Sequence, residues 1–171
     1  MNILLTTKLP IEGFTSISEH NIIMPEAAKF TPTELIEHLA DADILLSTFD
    51  YKITAEMIAA APNLKLITNF GVGFNNVDIA AARDRGIPVT NTPSPVIEPT
   101  AEHAFTLMLA ICHRTAELDR RMRQPNSDIE FGVMNNLGIA IYGKTLGIIG
   151  MGNIGQSIAG RAVACGMKII Y

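Results

Sequence analysis

Gly143-Lys144-Thr145-Leu146-Gly147-Ile148-Ile149-Gly150-Met151-Gly152-Asn153-Ile154-Gly155 decides the fold. The apolar run at its start predicts a strand over 145–149. The residues after the glycines, with Ile154, Ile158, Ala159 and Ala162 on one face, predict a helix over 153–165. Between them lies a GxGxxG turn, in which each glycine has its own physical reason. Gly150 permits the tight strand-to-helix turn, Gly152 lets backbone approach a pyrophosphate with no Cβ in the way, and Gly155 permits close packing of helix on strand. A bound phosphate would then meet the amides of Asn153 and Ile154 at the positive end of the helix. The candidate cofactor-binding set here is Gly150, Gly152, Asn153, Ile154 and Gly155. Two other readings stay open at this point. One is a tight β–α turn without a ligand; the other is a methyltransferase-type loop, which more often reads GxGxG.

Outward toward the C-terminus, 167–171 predicts one more strand. From Gly150 onward there are 22 residues, room for one helix and one strand. A complete doubly wound dinucleotide domain needs about six strands, so the expectation is the start of such a domain, truncated, with its last strand at an unfinished sheet edge open to association. An acidic residue that would bind an adenine ribose belongs about 20 residues after the fingerprint. The last acidic residue is Glu130, so the choice between NAD and NADP stays open.

Toward the N-terminus, a helix is expected over 100–123, apolar on nearly every side in its first half and therefore buried, against a sheet and against another subunit, with Arg120, Arg121 and Arg123 at the negative end of its dipole. Residues 124–136 are polar and read as a loop. Asn91–Pro99 holds three prolines in nine residues and reads as a crossing between two domains, because proline removes amide donors and disfavours helix before it. Ahead of the crossing, strands are predicted at 2–6, 43–47, 65–69 and 88–91. They alternate with helices opened at Thr31-Pro32-Thr33-Glu34, at Thr54 and at Asp78. Thr31 and Glu34 have capping-box spacing, and Pro62 and Gly86 stop the second and third helices. Such alternation argues for an α/β parallel sheet wrapped by helices.

Composition narrows the function classes. The chain has 171 residues, 48% of them hydrophobic and 18% charged, with a mean hydropathy of +0.26, enough to bury a core and exclude disorder as the main state. Net charge is −4, divided as −5 over 1–97 and +1 over 98–171, so no basic footprint for nucleic acid exists. No apolar run reaches the roughly 20 residues of a membrane span, and Met1–Lys8 lacks the flanks of a signal peptide. Cys112 and Cys165 both lie in apolar patterns, which predicts thiols in a reducing cytoplasm. No metal-ligand spacing is present.

Three motifs now carry a resemblance. The glycine stretch, together with Asn69-Phe70-Gly71-Val72-Gly73-Phe74-Asn75-Asn76-Val77-Asp78 and Thr100-Ala101-Glu102-His103-Ala104-Phe105-Thr106-Leu107-Met108-Leu109-Ala110, resembles the D-isomer-specific 2-hydroxyacid dehydrogenases in order and spacing. The second and third look most like the glyoxylate/hydroxypyruvate reductase branch. The resemblance implies two domains. Residues 1–98 would form a flavodoxin-like parallel-sheet substrate domain lacking its C-terminal return segment, and 99–171 the first part of a Rossmann NAD(P)-binding domain. It implies reversible hydride transfer between NAD or NADP and a small 2-oxo or 2-hydroxy acid, and a homodimer through the 100–123 region. In the family an arginine binds and polarises the oxo acid, a histidine is general acid/base, and a glutamate tunes that histidine. All three lie in the family's second half and have no counterpart here, so no catalytic residue is assigned. His20, His38, His103 and His113 all precede the fingerprint, and His103, beside the expected cofactor site, reads better as a helix residue at a packing surface. Arg161 reads as a surface or interdomain cation.

The same resemblance gives the loop Gly71, Val72 and Gly73 the substrate carboxylate. Gly71 and Gly73 would allow positive φ and bare the amides of Val72 and Gly73; a plain glycine turn is the competing reading. Phe49 would line the substrate pocket or serve as a core aromatic, and Thr100 would lie near the nicotinamide or cap a helix. Two departures from the family pattern stand out: no acidic residue in 138–142, and no tryptophan in the preceding loop, where Phe131 is expected to act as the apolar anchor. Three kinds of molecule fit this reading: the N-terminal portion of a dehydrogenase, inactive as it stands; a non-enzymatic dinucleotide-binding module; or a dimerisation piece of the same superfamily.

Overall fold

Leu4, Leu45 and Ile67 stand side by side on three neighbouring strands, flanked by Ile23 and Val89, and this apolar row is the spine of the first unit. The strands are β1 (Asn2–Leu5), β2 (Asn21–Ile23), β3 (Ile44–Thr48), β4 (Leu66–Phe70) and β5 (Val89–Asn91). All neighbours are parallel, in the order β2-β1-β3-β4-β5, the doubly wound order of flavodoxin-like sheets. The computed structural model describes residues 1–171 and divides them into two units, Met1–Ser94 and Pro95–Tyr171.

Three helices cover the first sheet: α1 (Pro32–Leu39), α2 (Ala55–Ala59) and α3 (Ile79–Asp84). Each starts on a side chain that accepts an otherwise orphaned amide. Thr31 Oγ1 accepts from Glu34 N at 3.3 Å while Glu34 Oε2 accepts from Thr31 N at 2.8 Å, the reciprocal capping box. Thr54 Oγ1 accepts from Met57 N and Asp78 Oδ1 from Ala81 N. Gly86 ends α3 at φ +67°, a conformation that costs glycine nothing. Leu35 and Leu39 of α1, Met57 and Ile58 of α2 and Ala82 of α3 complete the core with Ile53, Leu64 and Val77.

β2 and the 3₁₀ helix before it, Ile11–Ile17, lie outside the sequence reading, because a three-residue edge strand beginning on exposed Asn21 shows no apolar period.

The second unit holds α4 (Ile97–Cys112), α5 (Thr115–Met122), β6 (Thr145–Gly147), α6 (Asn153–Ala164) and β7 (Lys168–Ile170). β6 and β7 pair in parallel, Leu146 opposite Ile169, with α6 as the crossover, so the β–α–β reading of the glycine stretch holds. The strand is shorter than expected: Ile148 N still donates to Ile170 O at 2.9 Å, but Ile149 is fully exposed.

The single helix expected over 100–123 is instead two. It begins earlier, at Ile97, with Pro99 in the first turn, where a missing N–H costs nothing. It breaks at Arg114, which adopts φ +55°. Neither glycine nor proline marks the break. It is held by the Arg114 guanidinium on Glu117, at 2.5 and 2.8 Å, and by Ile139 N donating to Cys112 O at 2.7 Å.

Burial of α4 is also corrected. Within the chain α4 packs mainly against α6 and not against a sheet, and the face expected to meet another subunit is open. Only Ala101 is buried, while Leu107 is 50% and Ile111 76% exposed, because α6 covers one side of the helix and nothing in the unit covers the other. Phe131 anchors nothing; it is fully exposed, with Val133 and Met134 beside it. No helix is long and apolar enough to cross a membrane, and no group of three or more His, Cys, Asp or Glu is set to hold a metal ion.

Candidate functional site

In an open parallel sheet, ligands bind beyond the carboxyl ends of the strands. Here those ends carry Thr6 and Thr7 after β1, Phe49 and Asp50 after β3, the loop 71–76 after β4, and Thr92 after β5. Asn69, the fully buried penultimate residue of β4, organises the loop. Its Nδ2 donates to Gly73 O at 2.6 Å and to Asn76 Oδ1 at 3.1 Å. Asn76 Nδ2 returns to Asn69 Oδ1 at 3.0 Å and also reaches Thr48 O and Tyr51 O. From β5, Asn91 Nδ2 donates to Val72 O at 2.7 Å. Thr92 N donates to Gly71 O, and Thr92 Oγ1 accepts from Gly71 N, both at 2.9 Å. The amides of Val72 and Gly73 find no acceptor within the chain, so the loop offers two adjacent free donors, a fit for a carboxylate.

The route to those donors differs from the expected one. Neither Gly71 nor Gly73 has positive φ. A Cβ on Gly71 would instead stand 2.8 Å from Phe49 Cβ, so glycine there answers close packing. Phe49 is not a core aromatic: it is 67% exposed, at the same strand-end surface as Val72 and Phe74. Asn69, Asn76, Asn91 and Thr92 escaped the sequence reading. For Asn69 and Asn91 the one signal is a polar residue ending a predicted strand, where an apolar core residue is the ordinary choice; Asn76 and Thr92 carry none.

Charge at this end of the sheet is tied down. Asp50 pairs with Lys29, and that hydrogen bond, with a second from Thr48, holds its carboxyl below the ordinary aspartate range. Asp50 is thus an ionised acceptor and not a proton donor near neutrality. The histidines assemble no acid–base site: His38 packs on Phe30 with ring centroids 4.8 Å apart, His103 is exposed on α4, and His113 is the C-cap of that helix.

In the second unit the glycine turn has the geometry that its spacing demands. Gly150 adopts φ +94°. A Cβ on Gly155 would overlap the carbonyl oxygen of Gly150. Gly152 is the N-cap of α6, with open space where its Cβ would be and no side chain capping the helix. The first-turn amides of Asn153, Ile154 and Gly155 are therefore unpaired, the arrangement that accepts an anion. Thr100 is exposed within the first turn of α4, three residues past Ile97, so it caps nothing; Val96 is the N-cap. Arg161 is engaged inside the unit. Its Nη2 donates to Glu98 Oε2 at 2.9 Å and its Nη1 to Ser157 Oγ at 2.5 Å, while Ser157 Oγ donates to Glu98 Oε1 at 2.9 Å.

This fold and these two loops define a class of α/β protein, one that pairs a flavodoxin-order sheet with a Rossmann-type glycine turn. Residues 3–164 match the profile of the D-isomer specific 2-hydroxyacid dehydrogenase catalytic domain, and the chain belongs to that family. A glyoxylate reductase of Korarchaeum cryptofilum is 39% identical over 171 residues, covering 99% of this chain and 52% of the relative. Among solved structures, the TT0316 protein of Thermus thermophilus superposes with a TM-score of 0.90 at 35% identity, over 100% of this chain and 55% of its own. Two others, each 28% identical, carry cofactor: an acyclic imino acid reductase with NADPH and D-Arg (TM-score 0.80, 98% of this chain, 54% of that one), and the NAD-dependent formate dehydrogenase of Staphylococcus aureus with NAD (0.76, 99% and 55%). The chain spans about half the length of the relatives it matches.

Proposed function

We propose that this chain is part of an NAD(P)-dependent reductase of small 2-oxo acids, interconverting them with D-2-hydroxy acids. The observation that carries the reading is the pair of free amides at Val72 and Gly73 in a member of this family. There the 2-oxo acid carboxylate would sit on those amides, with Gly71 and Phe49 forming the adjoining wall. The dinucleotide pyrophosphate would sit on the turn Gly150, Gly152, Asn153, Ile154 and Gly155, with Thr100 toward the nicotinamide. Bound there, NADH or NADPH would supply the hydride; the protein's amides hold and orient the acid.

The arginine, glutamate and histidine of the family's chemistry have no counterpart among these 171 residues, so the chain alone is expected to be inactive. The test is NAD(P)H oxidation with glyoxylate or hydroxypyruvate as acceptor. No turnover is the expected result, and robust turnover would overturn it. The two thiols, Cys112 and Cys165, are unpaired and support a cytoplasmic setting. A second reading, a pairing module with or without dinucleotide, is favoured by one observation: the exposed Leu107 and Ile111 on α4. It supports a homodimer through the 100–123 region.

A further inference from the structure

We infer that Asn91 and Asn69, with Thr92, are positioning residues for the carboxylate loop, and that they turn three consecutive amides outward: those of Val72, Gly73 and Phe74. This rests on the reading of that loop as the carboxylate site. A trans peptide unit is planar, with its C=O and the following N–H pointing in opposite directions, and the chain contains no cis peptide. Thr92 N holds Gly71 O at 2.9 Å, Asn91 Nδ2 holds Val72 O at 2.7 Å, and Asn69 Nδ2 holds Gly73 O at 2.6 Å. Each carbonyl is thus drawn toward the ends of β4 and β5. The N–H of the same peptide unit, on Val72, Gly73 and Phe74 respectively, is driven to the opposite side, and none of the three has an acceptor in the chain. A run of glycines free to turn either way would not hold this pattern; the side-chain amides of Asn69 and Asn91 and the backbone N–H of Thr92 do. Asn91 controls the middle donor, Gly73 N–H.

Asn91 is exposed on an edge strand, so its replacement leaves the core intact. The experiment is a titration of the ¹⁵N-labelled 171-residue chain with sodium glyoxylate, followed by amide chemical shifts, for the wild type, Asn91→Ala and Asn91→Leu. Both variants lose the donor, and the second keeps the shape. Expected are saturable shifts at Val72, Gly73 and Phe74 in the wild type, with the apparent dissociation constant raised about fivefold or more in both variants, the effect of losing one well-placed hydrogen bond. The melting temperature is expected to stay unchanged, since a merely structural role would move stability and not affinity. Shifts in the wild type with unchanged affinity in both variants would overturn the positioning role alone. Absence of any shift at these amides in the wild type would overturn the carboxylate reading and the inference with it. Shifts at Val72 and Gly73 that leave Phe74 unmoved would overturn the third donor.

Discussion

Gly155 shows how much one missing methyl group decides. Its Cα lies where a side chain would meet the Gly150 carbonyl, so Gly155→Ala must push α6 away from the turn. Overpacking of this kind costs about 1–3 kcal/mol. Thermal denaturation should therefore show a lower melting temperature for Gly155→Ala, whereas Gly160→Ala, on the same helix with open space at its Cβ, should be neutral or slightly stabilising. Equal effects of the two would contradict the packing account. In the first unit, Leu39 is completely buried between α1 and the sheet. Leu39→Ala should cost about 2–5 kcal/mol, read from the urea midpoint.

Among elements, α4 and α6 are joined by Glu98, Ser157 and Arg161. The Arg161 guanidinium, followed by the Ser157 hydroxyl, holds the Glu98 carboxyl below its ordinary value. A carboxylate whose pKa is depressed in the folded chain contributes its stability above the unfolded value, and the contribution disappears as pH falls through the folded value. Glu98→Gln should therefore melt at a lower temperature than the wild type near neutrality, and the gap should close as the pH drops below the usual glutamate range. A gap that stays constant into acid would show that the pair contributes nothing. The group is exposed, so the gap will be small and will shrink with salt.

Element starts were legible because capping is local: Thr31 with Glu34, Thr54 and Asp78 each announce a helix within four residues. The break at Arg114 was not, because it depends on Glu117 and on Ile139, 25 residues downstream. The candidate site divides the same way. The glycines of the 150–155 turn speak through spacing, while Asn69 and Asn91 matter through carbonyls that only the folded sheet brings near them.

For the whole molecule, the two units differ in surface. The first carries most of the negative charge and a closed core. The second leaves Leu107, Ile111, Phe131, Val133 and Met134 exposed, more apolar surface than an isolated soluble unit ordinarily shows. If α4 is the pairing surface, Ile111→Asp should shift the chain toward monomer in light scattering with little loss of secondary structure. A mass that is unchanged, whether monomer or dimer, would rule that surface out.

The contact between Gly71 and Phe49 also has a consequence for how such a chain evolves. The two positions are 22 apart in sequence but share one space, so their allowed substitutions are not independent. In a saturation library selected for folding, any side chain at position 71 should survive only with position 49 reduced to glycine, while position 49 should vary freely as long as 71 stays glycine. That one-sided dependence would be written into the surviving variants as a missing combination, a variable column at 49 beside a column at 71 that departs from glycine only where 49 is itself glycine.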